Sequence, residues 1–236
     1  LVDGEDRIFG VLGGVPRGSA GPEWQNVAQQ AAAAVKVCFD TSTFSAKEQI
    51  HRRGKFTARC TGIGFGGGRQ VVGMMKISGK KNVNAMKQLL QNPAIQRIVG
   101  FTNSLFKVFS NQRYSHYSDL LDDLEHQHPH LKRNVPKTAF AGLTINMGPQ
   151  SFSPPHIDPG NSVDGWCTST ALGSFNADKG GQMVFWNQGI RLVIRFPSGS
   201  SMLFPSGQIV HSNVPIQPHK FRYSLIQYTA GALFRW

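Results

Sequence analysis

Hydrophobic residues follow a helical period in the first half of this chain. Between Trp24 and Cys38 the apolar positions recur every three or four residues, which is the spacing of one buried helix face. A second amphipathic helix is predicted to begin at Asn92, a capping residue followed by a proline in the first turn. Apolar positions between Tyr117 and Leu124 predict a third helix.

The pattern changes near residue 135. From Thr138 onward, short apolar stretches are separated by glycine, proline, asparagine and serine. Many short strands at this spacing indicate a β-sandwich or a β-barrel. The sequence therefore predicts a helical and hairpin extension over residues 1–135, and a β core over residues 136–236. One short strand is also expected earlier, at Ile8–Leu12.

A basic hairpin is predicted between the first two helical regions. Residues 51–72 have the pattern of a strand, a glycine turn at Gly66–Gly68 and a second strand. The basic residues of this region are Arg52, Arg53, Lys55, Arg59 and Arg69. Side chains of this kind can lie along a phosphate backbone, so the extension is expected to contact DNA. The alternative is a solvated hairpin with a flexible tip.

Charge supports a polyanionic partner. The chain has 236 residues with a net charge of +12 and a pI near 10.0, which favours nucleic acid first and an anionic membrane surface second. No apolar run approaches the ~20 residues of a transmembrane helix. Three widely spaced cysteines fit no zinc motif and favour a reducing compartment. The first residue, Leu1, is not methionine, which suggests a fragment or a processed chain.

A candidate metal site centres on His156 and Asp158. On an extended strand, residues two apart point to the same face, so the imidazole and the carboxylate converge. The prolines around this pair keep the segment out of a helix. His211 is the candidate third ligand, on a strand that folds back. Two histidines and one carboxylate form the facial triad of non-haem Fe(II) oxygenases.

A candidate co-substrate site follows His211. Arg222 provides a planar fork that can bind a carboxylate through two hydrogen bonds. Ser224, two residues further, shares its face and can donate another hydrogen bond. This pair suits the distal carboxylate of 2-oxoglutarate, whose 2-oxo acid end chelates iron. A pair such as His156 and Asp158 is by itself common in polar loops, and the joint pattern is what favours the oxygenase.

These motifs match a known superfamily. The matching segments are His156–Asp158, Gly180–Phe185, Phe196–Ser200, Phe204–Gly207, His211 and Arg222–Leu225. Through them, residues 138–236 resemble the 2-oxoglutarate/Fe(II) dioxygenases. Within that superfamily the chain is similar to the fungal branch of the ten-eleven translocation and J-binding-protein (TET/JBP) dioxygenases, through Lys137–Pro159 and Gln227–Trp236. The resemblance implies an α+β fold, with a double-stranded β-helix (jelly-roll) core and N-terminal helices packed against it.

The resemblance also implies the chemistry. His156, Asp158 and His211 would bind Fe(II) and carry catalysis, and Arg222 and Ser224 would bind 2-oxoglutarate. Asn146 resembles the asparagine that AlkB-type dealkylases use on the co-substrate. Members of the family oxidise methyl groups on DNA bases. The implied partners are O2 and double-stranded DNA with methylated bases, and the protein is expected to be a nuclear monomer without a membrane association.

The sequence says less about the substrate pocket than about the metal site. A base must leave the duplex to reach the iron, and Tyr228, Asn161 and Asp164 are candidates for contacting the flipped base. An ordinary structural role is the alternative for each. Both 5-methylcytosine oxidation and N6-methyladenine demethylation stay open. So do two other functions, a prolyl-type protein hydroxylase, in which a lysine often stands where this chain has Arg222, and a non-catalytic nucleic-acid-binding jelly roll.

Overall fold

The computed structural model describes residues 1–17, 21–187 and 190–236. The helices in these residues are α1 (Gly21–Asp40), α2 (Ala46–Gln49), α3 (Lys80–Gln91), α4 (Pro93–Phe109), α5 (Asn111–Gln127) and a C-terminal 3₁₀ helix (Gly231–Arg235). The strands are β1 (Val11–Gly14), β2 (Thr57–Gly66), β3 (Arg69–Met74), β4 (Gly142–Gly148), β5 (Cys167–Ser174), β6 (Met183–Asn187), β7 (Ile190–Ile194), β8 (Ser201–Phe204), β9 (Val210–Asn213) and β10 (Phe221–Tyr228).

The strands form two antiparallel sheets. The larger has the order β1-β8-β5-β10-β4-β2-β3, and the smaller has the order β7-β6-β9. Strand β10 lies between β4 and β5, with Ser224 opposite Asn146 on one side and Ala171 on the other. The predicted α+β fold with a jelly-roll core is confirmed. The larger sheet takes β1, β2 and β3 from the N-terminal side of residue 135, and a functional division at that residue stays a prediction.

Alternation along β4 separates the core from the cleft. Leu143 and Ile145 belong to the hydrophobic cluster that α1, α3 and α4 form on one face of the sheet. Thr144 and Asn146, one residue out of step, face the opposite side and line a cleft. The N-terminal helices are therefore packed against the β core, as expected, and they leave the other face of the sheet open for polar side chains.

Helix starts follow local capping chemistry. The Asn92 side chain accepts a hydrogen bond from the Ala94 amide at 2.9 Å, and Pro93 occupies the first helical position of α4. Ser45 and Glu48 form the capping box of α2, since the Ser45 amide donates to the Glu48 carboxylate at 2.8 Å. Within the described residues, no helix combines the length and the apolar character needed to span a membrane.

The first strand differs from its prediction. A strand was expected at Ile8–Leu12, whereas β1 spans Val11–Gly14 and Ile8 makes an isolated bridge with Val2. The carboxylate of Asp3 accepts hydrogen bonds from the amides of Glu5 and Arg7. An aspartate that bonds to the backbone ahead of it closes a turn. This turn pairs Ile8 with Val2, and the sheet strand begins later.

Candidate metal and co-substrate site

Backbone pairing with β9 brings the candidate metal ligands together. The amides and carbonyls of His156 and His211 exchange hydrogen bonds at 3.0 and 2.9 Å, and the Asp158 amide donates to the Ser206 carbonyl at 2.8 Å. The segment around His156 makes only this isolated bridge, so the strand expected there is absent. Its prolines lack the amide donors that a regular strand needs. The bridge alone is sufficient to place the two histidines side by side.

The three candidate ligands surround one point. Their donor atoms all lie within 4.8 Å of one another, and the two imidazole centroids are 4.3 Å apart. Nδ1 of His156 lies 2.7 Å from the Pro154 carbonyl, and Nδ1 of His211 lies 2.8 Å from the Ile209 carbonyl. Because a carbonyl can only accept, each Nδ1 carries the proton, and each Nε2 presents its lone pair. Two imidazole nitrogens and one carboxylate are a donor set that fits Fe(II).

Burial keeps both imidazoles neutral. Desolvation lowers the pKa of His156, and it lowers the pKa of His211 to about 4. The ring of Phe204 packs edge-on against His211 with centroids 4.9 Å apart and covers one side of the site. Neutral imidazole is the form that binds a metal. At neutral pH both histidines are therefore ready for a metal without losing a proton.

Arg222 is a buried cation that pairs with no carboxylate among the residues that the structure describes. It is 3% exposed, its Nη1 donates to the Ser151 carbonyl at 3.1 Å, and its Nε has no hydrogen-bond partner in the described part of the chain. Burial lowers the pKa of Arg222 to about 10. An unpaired buried charge costs several kcal/mol. A small-molecule carboxylate would remove that cost, which is the fit that 2-oxoglutarate offers.

Asn146 and Ser224 lie next to this arginine. The Asn146 amide donates to the Ser224 hydroxyl at 2.8 Å, and both side chains are buried. Since the hydroxyl accepts this bond, its own proton can point to a ligand. Arg222 and Ser224 share one face of β10, and both line the cleft that contains the metal ligands. The described residues thus fit 2-oxoglutarate as well as Fe(II).

The cleft is large and its rim is cationic. It has a volume of about 1710 Å³. Exposed basic residues on its lining are Lys47, Arg52, Arg69, Lys76 and Arg235. The acidic residues on the lining are each paired with an arginine, in the pairs Glu48–Arg59, Asp158–Arg53 and Asp164–Arg113. The cations on the rim are therefore not neutralised by these carboxylates.

The structure separates the five predicted phosphate contacts. Arg52 and Arg69 are exposed on the cleft lining, whereas Lys55 is exposed away from it. Arg53 instead contacts His156 and Asp158. Arg59 is 4% exposed. It donates to Glu48 at 2.8 Å and to the Thr43 carbonyl at 2.6 Å, and stacks over the Phe44 ring. The charge of Arg59 is therefore already paired inside the protein, and its contact with a phosphate stays a prediction.

The three candidate base contacts line the cleft. Tyr228 accepts a hydrogen bond from Thr144 at 3.4 Å, and burial raises the pKa of its phenol. Asn161 donates to the Ser206 hydroxyl at 2.9 Å and lies 3.5 Å from Asp158 Oδ2. Asp164 is held by Arg113 and Ser162. Asn161 therefore supports a candidate metal ligand, and contacts of these residues with a base stay predictions.

Sequence reasoning missed several contributors to the site. Arg53 gave no signal beyond its place in a basic run, yet it reaches two candidate metal ligands. Ser206 and Phe204 lie in a motif segment without an assigned role, and they support Asp158 and cover His211. Thr144 could have been found from the pattern, since it lies two residues before Asn146 on the same strand face.

Comparison with known proteins gives the fold. No protein-family model matches the chain, and no curated protein matches it. Among solved structures, NgTET1 in complex with 5mC DNA superimposes with a TM-score of 0.62 at 13% identity, covering 92% of this chain and 69% of that one. A Pseudomonas putida prolyl-4-hydroxylase gives a TM-score of 0.47 at 14% identity, covering 94% and 92%. OsALKBH1 gives 0.46 at 11% identity, covering 84% and 91%.

These neighbours are 2-oxoglutarate/Fe(II) oxygenases, and the chain shares the fold of NgTET1. At these identities the likeness concerns the fold alone, and it is carried by NgTET1, since the other TM-scores are below 0.5. The fold and the site together support an oxidoreductase of the 2-oxoglutarate/Fe(II) type. The His156, Asp158 and His211 cluster fits the metal, and Arg222 fits the co-substrate.

Proposed function

We propose that the protein is an Fe(II)/2-oxoglutarate-dependent dioxygenase of the TET/JBP type that oxidises a methyl group on a DNA base. The observation that carries the proposal is the buried guanidinium of Arg222, which has no carboxylate partner among the described residues and lies in the same cleft as the His-Asp-His cluster. A guanidinium whose charge no protein carboxylate balances can bind the carboxylate of a ligand through two hydrogen bonds.

His156, Asp158 and His211 would hold Fe(II), which with 2-oxoglutarate supplies O2 activation coupled to release of succinate and CO2. Arg222 and Ser224 bind and orient the distal carboxylate of the co-substrate. Asn146 fixes the Ser224 hydroxyl through their 2.8 Å hydrogen bond. Phe204 excludes water from one side of His211. The protein therefore contributes position, charge and a dry surface, and no side chain acts as a nucleophile.

The charge of the cleft rim favours a polyanionic substrate. The cleft rim carries cations whose acidic neighbours are already paired, and the whole chain has a net charge of +12. Such a surface favours a polyanion over a neutral peptide. A methylated base would have to leave the duplex to reach the buried cluster, beside Tyr228 and Asn161. Both 5-methylcytosine and N6-methyladenine fit this chemistry, and with a DNA substrate we infer a nuclear location.

The test is direct turnover. The protein is incubated with Fe(II), 2-oxoglutarate and duplex oligonucleotides that each carry one methylated base, and nucleoside masses are measured. We expect a gain of one oxygen on 5-methylcytosine or loss of the methyl group from N6-methyladenine, with stoichiometric succinate. Asp158→Ala and an unmethylated duplex are the controls. A protein that modifies no oligonucleotide but hydroxylates a proline-containing peptide would be a protein hydroxylase, and the DNA proposal would fail.

A further inference from the structure

A tight turn delivers one arginine to the candidate metal site. His51 and Gly54 exchange backbone hydrogen bonds at 3.1 and 2.9 Å. The Arg53 amide donates to His51 Nδ1 at 3.3 Å, and His51 Nε2 donates to the Phe56 carbonyl at 3.0 Å. Gly54 has a φ of 146°, and a Cβ there would lie 2.5 Å from the Phe152 carbonyl oxygen. The turn therefore needs glycine, and its backbone directs the Arg53 side chain.

The Arg53 guanidinium contacts the atoms that a metal would use. Its Nη1 lies 3.1 Å from His156 Nε2, and its Nη2 forms an ion pair with Asp158 Oδ1. His156 Nε2 is the lone-pair nitrogen, because Nδ1 donates to the Pro154 carbonyl. The single lone pair of His156 Nε2 cannot serve a guanidinium and a metal ion at once. A guanidinium and a divalent cation at contact distance would also repel each other.

We propose that Arg53 and the metal ion compete for His156 and Asp158, so that Arg53 sets the metal affinity of the site. Arg53 pairs with Asp158 and holds the ligands in place, and a divalent cation binds only when it displaces the guanidinium. This inference rests on the proposed function, because it takes the three-residue cluster as the metal site.

Displacement would couple the metal to the substrate. Arg53 lines the cleft together with Arg52, so a displaced guanidinium becomes another cation on the cleft wall. A bound polyanion that pairs with the displaced Arg53 stabilises the metal-loaded arrangement. By reciprocal linkage, the metal must then favour polyanion binding by the same factor. The enzyme would hold its metal most tightly when a phosphate backbone is present.

Titration with Mn(II), followed by electron paramagnetic resonance of the free ion, tests the competition without turnover. We expect Arg53→Ala to bind Mn(II) more tightly than the parent, by about 5-fold to 150-fold, the usual range of coupling between two sites. Arg53→Lys keeps a charge but loses the fork and should lie between the two. Arg52→Ala is the matched control, because Arg52 lies on the same turn and has no hydrogen bond or ion pair with the cluster in the described residues.

Stability without metal provides a second measurement. Arg53→Ala leaves the buried Asp158 carboxylate without its cation, so its unfolding temperature should fall below that of the parent. Added Mn(II) should then raise the unfolding temperature more in Arg53→Ala than in the parent. Mn(II) affinity that is unchanged or weaker in Arg53→Ala would overturn the competition. If neither protein binds Mn(II), the metal site itself fails, and the proposed function fails with it.

The coupling between metal and polyanion is tested by repeating the Mn(II) titration in the presence of a DNA duplex. A titration of the duplex without protein is the reference for Mn(II) bound to the DNA. We expect the duplex to tighten Mn(II) binding by the parent and by Lys55→Ala, whose side chain is exposed away from the cleft, and to leave binding by Arg53→Ala unchanged. An equal tightening in Arg53→Ala would show that the displaced guanidinium does not meet the phosphate backbone.

Discussion

Arg59 on β2 and Arg222 on β10 are buried arginines of the same sheet, and they differ in what neutralises them. Arg59 pairs with Glu48 at 2.8 Å, bonds to a backbone carbonyl and stacks over Phe44. Arg222 has one carbonyl partner and, among the described residues, no carboxylate. The charge of Arg59 is balanced within the protein, although its Nη1 has no hydrogen-bond partner among the described residues. For Arg222, we propose that a ligand provides the anion.

The presence or absence of an acidic partner distinguishes a structural arginine from a ligand-binding one, which the sequence pattern could not do. Both arginines were candidate ligand contacts, and neither strand pattern shows whether an acidic partner lies nearby in space. Burial alone does not distinguish them either, because they are 4% and 3% exposed. The acidic partner of Arg59 comes from a separate helix, α2, eleven residues away in sequence.

The largest effect is expected from the ligand cluster itself. Asp158→Ala removes the carboxylate from a site where two imidazoles remain. Loss of a residue that only supports a metal ligand typically costs about 10–100-fold in metal affinity, so loss of the ligand should cost more than about 100-fold. Mn(II) titration measures this, and circular dichroism checks that the fold is intact. Parent-like affinity in a folded variant would remove Asp158 from the site.

The two arginines should change stability in opposite directions. Arg222→Met removes a buried charge whose folded-state pKa is lowered by burial to about 10. Because the folded state disfavours the charged form, the cost is present at neutral pH and falls as pH rises above about 10. Arg222→Met should therefore raise the free energy of unfolding without ligand, by up to about 3 kcal/mol.

Arg59→Met instead breaks a completed pair and leaves Glu48 without its cation. Glu48 is partly exposed, so the loss should be smaller than for a fully buried pair, about 1–3 kcal/mol. Urea unfolding of both variants at pH 7 measures whether each substitution raises or lowers the free energy of unfolding. A loss of stability in both would mean that Arg222 is a structural arginine as well.

The smallest effect is expected from the cleft rim. Arg52 and Arg69 are exposed on the cleft lining, whereas Lys55 is exposed away from it. Replacing Arg52 and Arg69 together with alanine should lower the salt slope of DNA binding by about 2, since each phosphate contact contributes about 1. Lys55→Ala is the matched control and should leave the slope unchanged. Fluorescence anisotropy at several salt concentrations measures both, and a double variant with the parental slope would move the DNA contact elsewhere.

The pairing of His156 with Asp158, and of Arg222 with Ser224, could be predicted from sequence because the residues of each pair are two positions apart. Residues two apart share a strand face, and this rule places Arg222 with Ser224. The contact between Arg53 and Asp158 could not be found in this way, since it joins residues 105 positions apart through a turn that depends on Gly54. The same holds for Arg59, whose partner depends on how α2 packs against β2.

The helices and most strands were predictable for a similar reason. Capping at Asn92 and alternation along β4 are properties of neighbouring residues. The order of strands in the sheet is not such a property, because β1 joins β8 and β2 joins β4 only through long-range pairing. The short bridge between His156 and His211 also escaped prediction, since prolines hide it from any strand pattern.

Binding of 2-oxoglutarate to the Mn(II)-loaded protein tests the central claim most directly. Calorimetric titration should give one binding site in the parent and in Arg59→Met. In Arg222→Met the affinity should fall by an amount equivalent to about 2–5 kcal/mol, roughly 30-fold to 5,000-fold, because a bidentate charge-assisted contact is lost. If Arg222→Met binds 2-oxoglutarate as tightly as the parent while Arg59→Met does not, the two arginines have the opposite roles, and the account of this site is wrong.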